Sequence, residues 1–314
     1  MRQTSSIDWQ PTATVASLKS RAQLIQQIRH YFATQNVLEV ETPCLSGSTV
    51  TDPYLEAFEV NGKFLQTSPE YAMKRLLAHG SGDIFQIAKA FRHEDSGRYH
   101  NPEFTLLEWY RCDYTLELMF DEIAQLLNLT LQTSGMEIHR YADLFKQYLN
   151  IDIHCVANEV LTGLIDEHCS GLTVNDVDDC LTALFATCIE PKIGRQIPCI
   201  VSHFPSSQAS LARLDPINPN QALRFEVYYR GIELANGFHE LTDPIEQAQR
   251  FQSDNLKRLQ KKLPEKPIDG RFLAALEQGL PDCVGVALGI DRLVMLKTGR
   301  DSISQVMAFD ANNA

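Results

Sequence analysis

An acidic and a phenolic side chain stand together in a segment that otherwise has the composition of a buried β-strand. Within residues 103–111, Glu108 and Tyr110 are two positions apart, so a strand would place both on one face and Trp109 on the other. A carboxylate beside a phenol in an apolar strand suits a buried ammonium group. A surface-facing edge strand would produce the same pattern, and the residues alone leave both interpretations open.

A second acidic group surrounds Asn236-Gly237, a dipeptide that strongly favours a two-residue β-hairpin turn. Such a turn would place Glu233 directly opposite Glu240, and like charges in that position destabilise a sheet. A bound cation would remove the conflict, and carboxylate oxygens suit Mg²⁺, which keeps waters and bridges to substrate phosphates. We therefore predict that Glu233 and Glu240 bind Mg²⁺. Two solvated glutamates, or a turn of another kind, are the alternatives.

Arginines occur at two places where a loop or a helix start would present them to a ligand. Arg92 follows the predicted strand over 84–91 and begins a long charged loop that leads to the returning strand. Arg292 follows the glycine-rich run 285–289 at the start of a helix, and glycines allow a backbone to approach a ligand closely. Taken alone, the second pattern also fits tight strand–helix packing with a surface arginine, and it is not a P-loop.

Ser68, Pro69 and Glu70 lie between a short apolar run at 64–67 and a predicted helix over 71–78. Ser68 can cap that helix, and Glu70 can interact with the positive end of its dipole. This structural role is sufficient to explain the three residues, so by themselves they are a weak indication of a site.

These residues need elements that bring distant segments together. Apolar residues recur at helical spacing from Leu18 to Phe32, which predicts an amphipathic helix ending before Asn36. Because strands occur in separated blocks with helices between them and little βαβ regularity, we expect an α+β fold, an antiparallel β-sheet flanked by helices. Besides the strands already mentioned, the pattern predicts strands over 37–42 and 223–229, and a glycine-rich strand from 282.

The middle of the chain, about 113–222, has a different character. Helical patches over 116–129, 141–149 and 174–189 alternate with irregular, proline-containing connections. Since nothing there has the spacing of a chemical motif, we interpret this stretch as scaffold or as a helical insertion. A further helix is predicted from Asp243, which can cap it, to about Lys262. We expect a single catalytic domain over 1–314.

The composition excludes several classes of protein. The 314 residues are 44% hydrophobic and 22% charged, as in ordinary globular proteins, and lack the roughly 18 consecutive apolar residues of a membrane span. The amino terminus is too polar for a signal peptide. A net charge of −12 argues against nucleic acid as the main partner. Eight cysteines without C-x-x-C spacing favour free thiols over a zinc site, and we expect a cytoplasmic protein.

Taken in order, these segments resemble the three signature motifs of the class II aminoacyl-tRNA synthetase family. The helix and strand that end at Pro43 resemble motif 1, which forms the dimer. Residues 91–94 with 100–105 resemble motif 2, and 289–292 resemble motif 3. The similarity to lysyl-tRNA synthetase catalytic domains is closer still, through 68–70, 74–76 and 233–241. It covers nearly the whole chain outside the middle stretch.

The resemblance implies ATP as a cosubstrate, Mg²⁺ as a cofactor and a lysine-like substrate. It gives Arg92 the α-phosphate and Arg292 the γ-phosphate, and with Glu94 these form the expected catalytic set. The ATP-binding residues that it implies are Arg92, His93, Glu94, Asn101, Phe104, Glu233, Leu234, Gly289 and Arg292. The substrate-binding residues that it implies are Ser68, Pro69, Glu70, Glu108, Tyr110, Asn236 and Glu240.

Three departures separate this chain from those synthetases. The motif 1 helix begins near residue 18, which leaves no room for a preceding anticodon-binding domain, and the negative net charge removes the electrostatic route to tRNA. The substrate region carries Ala235, His239 and Ala287 where the synthetases typically have Gly, Ser and Gly. Changes of this size are worth about 1–3 kcal/mol in discrimination, enough to favour an isomer of lysine.

The same departures occur in a paralogous group that resembles a stand-alone catalytic domain of the synthetase and acylates a protein. The resemblance therefore implies that this chain activates (R)-β-lysine and transfers it to a lysine of elongation factor P, as a homodimer and without stable tRNA binding. A truncated lysyl-tRNA synthetase that charges tRNA stays an alternative. A regulatory paralogue without catalysis is another, although such proteins usually lose the motif arginines, and Arg92 and Arg292 are both present.

Overall fold

A mixed β-sheet carries the segments singled out above. The computed structural model describes residues 9–93, 96–169, 171–172, 174 and 176–314. Within this part of the chain, eight strands form the main sheet and three short strands form a second one. In chain order the strands are β1 (Leu38–Glu39), β2 (Leu45–Ser46), β3 (Glu59–Val60), β4 (Lys63–Leu65), β5 (Ile84–Phe91), β6 (Glu103–Cys112), β7 (Glu137–Arg140), β8 (Cys199–Pro205), β9 (Gln221–Tyr229), β10 (Ile232–His239) and β11 (Cys283–Gly289).

The main sheet has the strand order β1-β5-β6-β11-β10-β9-β8-β7. Neighbours from β5 to β8 are antiparallel, and the two outermost pairs, β1–β5 and β8–β7, are parallel. The predicted antiparallel sheet flanked by helices is confirmed, with parallel pairs at both edges. Because β6 lies between β5 and β11, the edge-strand interpretation of Glu108 and Tyr110 is wrong.

Helices pack on both faces of this sheet. None of the described helices combines the length and apolar composition that a membrane span requires. In chain order the helices are α1 (Val15–Thr34), α2 (Glu70–Ala78), α3 (Leu116–Leu131), α4 (Tyr141–Leu149), α5 (Asn158–His168), α6 (Val177–Leu184), α7 (Pro244–Gln260), α8 (Gly270–Gly279) and α9 (Ile290–Thr298).

The predicted helix starts are close to those observed. The Asp243 side chain accepts hydrogen bonds from the backbone N–H groups of Ile245 and Glu246, at 2.8 and 3.2 Å, so it caps α7 as expected. The helix α2 begins at Glu70, one residue earlier than predicted, and the Ser68 hydroxyl accepts the Glu70 N–H at 3.1 Å.

The two faces of the sheet have different surroundings. On one face, Trp109 of β6 is fully buried against α1 and α3, and its indole N–H donates to Glu122 at 3.0 Å. Phe32 of α1 stacks on Phe85 of β5 with 4.6 Å between the ring centroids. Burial of each such side chain stabilises the fold by roughly 1.5–3 kcal/mol. This core holds β6 so that Glu108 and Tyr110 point to the opposite face.

The middle stretch, predicted as scaffold or as a helical insertion, divides between two cores. Its first helix, α3, joins the core just described, where Phe120 contacts Phe225 of β9 with ring centroids 5.1 Å apart. Helices α4 to α6 form a second hydrophobic cluster on β8 and β9, in which Tyr141 and Phe185 stack at 5.1 Å. Both rings also line the large cavity on the opposite face, so this segment builds part of a cavity wall.

The predicted strand over 37–42 is shorter in the structure, where only Leu38 and Glu39 form ladder pairs with β5. The Thr42 hydroxyl instead donates to the side chain of Gln86 at 2.9 Å. Pro43 follows directly and has no N–H to continue a ladder. The segment therefore leaves the sheet after two paired residues.

The predicted hairpin turn at Asn236-Gly237 is wrong. Both residues lie inside β10, and the β9–β10 turn is at Arg230-Gly231, where both residues have positive φ. Gly237 is required for another reason: a Cβ there would lie 2.2 Å from the ring of Phe225 and 2.7 Å from the carbonyl oxygen of Gly285. A turn-forming dipeptide thus serves close packing in a central strand.

A β-bulge in β10 changes which face of the sheet its side chains point to. The β9–β10 register shifts between Glu233 and Ala235, so Leu234 is an extra residue in the strand. Without the shift, Glu233 and Asn236 would point to opposite faces, because they are three residues apart. With it, both lie on the face that carries Glu108, while Leu234 and Ala235 are buried in the core.

The packing around Gly237 makes a test of this register. We expect Gly237→Ala to lower the free energy of unfolding by about 1–3 kcal/mol, because the methyl group has no space between the ring and the carbonyl. The matched control is Gly163→Ala in α5, where a Cβ meets no atom within 4 Å and alanine should stabilise the helix by about 0.5–1 kcal/mol. Urea denaturation measures both. Equal stabilities for the two variants would contradict the assigned register.

Candidate active site

One large cavity lies over the face of the sheet that carries Glu108 and Tyr110. Its volume is about 1090 Å³, and most of the predicted site residues line it. Those in the lining are Ser68, Glu70, Arg92, Asn101, Phe104, Glu108, Tyr110, Glu233, Leu234, Asn236, Glu240, Gly289 and Arg292. Pro69 and His93 are outside this lining, and Glu94 lies outside the described residues.

A cross-strand row forms the floor of the cavity. Glu108 of β6 pairs with Ala287 of β11, Ala287 pairs with Asn236 of β10, and Asn236 pairs with Glu226 of β9. Directly paired residues share a face, so these side chains point into the same space. The row therefore crosses four adjacent strands. It has a carboxylate at each end, with the Ala287 methyl group and the Asn236 amide between them.

At one end of the cavity, Glu108 is buried but fully hydrogen-bonded. The Ser68 hydroxyl donates to one carboxylate oxygen at 2.8 Å, and the Tyr110 hydroxyl donates to the other at 2.7 Å. Burial raises the pKa of Glu108 to about 8, and the nearby charge of Glu70 adds to the effect. The two hydroxyl donors act in the opposite direction because they stabilise the carboxylate. The site thus holds a carboxyl group in a fixed orientation.

Beside it, Lys74 joins two further carboxylates. Its ammonium nitrogen lies 2.7 Å from Glu70 and 2.5 Å from Glu240. Burial raises the pKa of Glu240 to about 8, although Lys74 lowers it. Gly285 leaves the space for this group, since a Cβ there would lie 2.4 Å from the Glu240 carboxylate and 2.3 Å from the Tyr110 ring.

The arginines lie elsewhere along the same cavity. The Arg92 guanidinium is 5.1 Å from the ring centroid of Phe104, within cation–π range. Its backbone N–H donates to Pro102 across the base of the motif 2 loop at 2.9 Å. His93 turns away and packs against Phe58, with ring centroids 5.0 Å apart. The prediction that His93 contacts ATP therefore has no support from its side chain.

The first turn of α9 presents Arg292 to the cavity. Its guanidinium donates to the backbone carbonyl of Glu233 at 2.6 Å and lies 2.9 Å from the His100 ring nitrogen. The preceding Asp291 is buried, accepting from Arg21 of α1 at 2.6 Å and from the Thr105 N–H at 2.7 Å. These bonds connect α1, β6 and α9, so they hold Arg292 in position relative to the motif 2 strands.

Asn101 is buried and supports the loop. Its amide nitrogen donates to the Glu103 carbonyl at 2.6 Å, and its oxygen accepts the Ala311 N–H at 3.0 Å. The residue lines the cavity while both ends of its amide contact the backbone. A direct contact with ATP stays a prediction for Asn101.

Three carboxylates, those of Glu190, Glu226 and Glu233, lie near enough to interact electrostatically. Glu226 of β9 is buried, with Arg224 at 2.5 Å and the Tyr228 hydroxyl as partners. Burial raises its pKa; Arg224 opposes this, and the charge of Glu233 adds to it. Glu190, from the middle stretch, has its pKa raised to about 7 by burial and by the charges of Glu233 and Glu226. Carboxylate oxygens that line a cavity are the type of donor that a divalent cation such as Mg²⁺ prefers.

The prediction that Glu233 lies directly opposite Glu240, from which the Mg²⁺ site was inferred, is wrong. The two residues are seven positions apart on one extended segment, on the order of 20 Å between Cα atoms, rather than opposite each other. Glu240 is instead bound to Lys74. The residue that shares the face and the charge environment of Glu233 is Glu226, on the neighbouring strand. A mistaken turn position caused the error.

The sequence interpretation gave no role to Glu226, Lys74 or Glu190. A signal for Glu226 was present, because Arg224, Glu226 and Tyr228 alternate with apolar residues in the predicted strand over 223–229. Glu190 carried no such signal, since it lies in an irregular turn far from the strands in sequence. The eight cysteines are free, as expected.

The cavity is chemically divided. One end holds carboxylates and phenols, which suit ammonium groups, while Arg92 and Arg292 lie where anionic oxygens would be bound. The carboxylates Glu226 and Glu233 lie close to Arg224 and Arg292, which suits a metal-bound phosphate chain. The cavity therefore offers separate places for ammonium groups and for anionic groups.

Comparison with known proteins agrees with this geometry. Residues 2–313 match the family described as tRNA synthetases class II (D, K and N). A protein named elongation factor P–(R)-β-lysine ligase from Vibrio cholerae is 50% identical over 96% of this chain and 97% of its own length. Proteins of the same name from Hamiltonella defensa and Salmonella arizonae are each 47% identical, over 98% of both chains. This chain therefore belongs to the class II tRNA synthetase family of the D, K and N group.

Proposed function

We propose that this chain is an ATP-dependent ligase that activates (R)-β-lysine as an adenylate and transfers it to a lysine side chain of elongation factor P. The observation that supports this function best is that buried carboxylates and two arginines line the same cavity. The names of relatives at 47–50% identity over nearly the full length supply the identities of the amino acid and the acceptor.

The carboxylate end orients the amino acid. Its two ammonium groups would replace the solvent lost on binding with contacts to Glu70, Glu108 and Glu240, since an unpaired buried charge is costly. Ser68 and Tyr110 hold Glu108 in place. With the ammonium groups held there, the substrate carboxylate extends towards Arg92.

In the activation step, a substrate carboxylate oxygen attacks the α-phosphorus of ATP, and the bond to the pyrophosphate leaving group breaks. Negative charge develops on the phosphoryl oxygens, and Arg92 and Arg292 would stabilise it electrostatically. Because Arg292 is held by backbone carbonyls and by the Asp291–Arg21 link, its guanidinium needs little reorganisation.

Mg²⁺ belongs to the proposal as a cofactor, with Glu226 and Glu233 as the side chains that would hold it. When bound, Mg²⁺ neutralises phosphate charge and orients the phosphate oxygens. The carboxylates repel one another in the protein alone, so they fit a cation there. Glu233 also contacts Arg292, which joins the metal side of the site to the arginine side.

In the transfer step, the neutral amine of the acceptor lysine attacks the carbonyl carbon of the adenylate. An amide bond forms, the bond to AMP breaks, and the amine loses a proton to solvent or to the departing phosphate. The predicted homodimer, the predicted single catalytic domain and the expected lack of stable tRNA binding remain parts of this proposal.

The acceptor and the amino acid are tested together by mass spectrometry. After incubation with this chain, ATP, Mg²⁺ and (R)-β-lysine, we expect elongation factor P to gain one β-lysyl residue, and to gain less from α-lysine. Elongation factor P with acetylated lysines is the control, because it offers no amine. Ester formation on tRNA at a comparable rate would favour a truncated synthetase, and background ATP–pyrophosphate exchange with every lysine isomer would favour a regulatory paralogue.

The role of motif 3 is tested at Arg292. We expect Arg292→Ala to lower ATP–pyrophosphate exchange by about 10²–10³-fold, since it removes one preorganised electrostatic partner of the transition state. The control is Arg300→Ala, an exposed arginine just after α9, which should leave the rate unchanged. An unchanged rate in Arg292→Ala, with an unchanged melting temperature, would show that Arg292 has been wrongly assigned.

The proposed metal ligands Glu226 and Glu233 are tested by the dependence of the exchange rate on magnesium. We expect Glu233→Gln to raise the Mg²⁺ concentration for half-maximal exchange by at least about 10-fold, and Glu226→Gln to act in the same direction. Glu277→Gln, an exposed change on α8, should have no effect. If neither carboxylate variant shifts the Mg²⁺ requirement, the metal is held by other groups.

A further inference from the structure

We propose that Lys74 sets the net charge of the substrate pocket so that it requires two positive charges from the bound amino acid, which makes Lys74 a specificity-determining residue for diamino acids. The inference rests on the proposed function and goes beyond it, because it assigns the choice of a dicationic substrate to a lysine that has no role in the proposed reaction. Lys74 acts here as a positioning residue through its carboxylate partners.

Lys74 is held more tightly than a surface ion pair. It lies one turn after Glu70 in α2, only 1% of its side chain is exposed, and its nitrogen contacts Glu70 and Glu240 at 2.7 and 2.5 Å. The Phe272 ring lies 5.8 Å from the nitrogen. Burial alone would lower the pKa of Lys74, but Glu240 and Glu70 raise it above its ordinary value. Its positive charge is therefore a permanent part of the pocket.

The pocket has more negative than positive charge. Among the described residues, Glu70, Glu108 and Glu240 supply three carboxylates at this end of the cavity, and Lys74 supplies one ammonium group. Glu108 has only hydroxyl partners, which carry no charge. With all three carboxylates ionised, three negative charges and one positive charge leave a net charge of −2.

The titratable groups of Arg213, His239, Cys283, Tyr71 and Tyr110 do not change the count. Arg213 interacts electrostatically with Glu240, but its guanidinium is paired with Asp282. His239 also contacts Asp282 and stays neutral, since burial lowers its pKa to about 4. Burial raises the pKa of Cys283, as it does those of the pocket phenols Tyr71 and Tyr110, so these groups stay neutral.

A charge of −2 in a buried pocket needs compensation. In the empty pocket, protons provide it, because burial raises the pKa of both Glu108 and Glu240 to about 8. A substrate with two ammonium groups replaces those protons one for one. A substrate with a single ammonium group leaves one carboxylate protonated, and a pocket without Lys74 leaves one carboxylate uncompensated even by a diamino acid.

The charge count predicts that Glu70→Gln raises the KM in the wild type and lowers it in the Lys74→Met variant. In the wild type, Glu70→Gln reduces the pocket charge to −1, so we expect the KM for (R)-β-lysine in ATP–pyrophosphate exchange to rise about 10-fold or more. Lys74→Met also raises that KM, because the pocket then carries −3. Adding Glu70→Gln to Lys74→Met restores −2, so we expect it to lower the KM, although it removes a further charged group.

These variants separate the possible outcomes. The KM for ATP and the melting temperature report on damage outside the pocket and should change little. If Glu70→Gln raises the KM by the same factor in both backgrounds, Lys74 is a structural ion pair and the inference is wrong. If the wild type itself shows no exchange with any lysine isomer, the proposed function fails instead.

A measurement on the wild type keeps the inference testable if Lys74→Met does not fold. Calorimetric titration at pH 7 in buffers of different ionisation enthalpy counts the protons released on binding. Below pH 8 the raised carboxyl groups hold protons, and a bound ammonium group displaces them. We expect (R)-β-lysine to release more protons than 3-aminohexanoic acid, which lacks one ammonium group, and to bind at least about 10-fold more tightly. Equal proton release by the two ligands would overturn the charge count.

Discussion

The burial of carboxylates on one face of a central sheet is the constraint on which the rest of this structure depends. Removing a carboxylate from water is costly unless it is paired or protonated. The chain meets this cost with hydroxyl donors at Glu108, with Lys74 at Glu240 and with Arg224 at Glu226. Each solution is incomplete, as the raised pKa values of Glu108 and Glu240 indicate. A cationic ligand is the partner that would complete this pairing.

The register of the sheet determines which residues from distant parts of the sequence lie side by side. Glu108, Ala287, Asn236 and Glu226 come from four strands, yet each pairs directly with the next. Adjacent strands are roughly 4.8 Å apart, so this row fixes the separation between Glu108 and Glu226. The apolar core on the other face, around Trp109, keeps these strands from shifting. Recognition therefore depends on packing that never touches the ligand.

Most of the elements could be predicted from the sequence, because their signals are local. The strand at 84–91, the start of α7 and the alternation of Glu108 and Trp109 follow from periodicity and capping, which involve only neighbouring residues. The Asn236-Gly237 turn failed because propensity cannot report crowding: Gly237 is needed where Phe225 and Gly285 approach it from two other strands. The bulge at Leu234, and the position of Glu226 and Glu233 on one face of neighbouring strands, cannot be predicted for the same reason.

The sequence by itself determined the class of fold, the resemblance to the synthetase motifs and the list of residues most of which line the cavity, since these depend on residue types and on local spacing. Only the tertiary structure decided which of these residues act together. In the structure, Glu233 does not lie opposite Glu240, and Glu240 is paired with Lys74. Glu190 of the middle stretch interacts with Glu233, and His93 packs against Phe58. The reason is physical: charge interactions depend on distance and on burial, and both arise from contacts between segments that lie far apart in the chain.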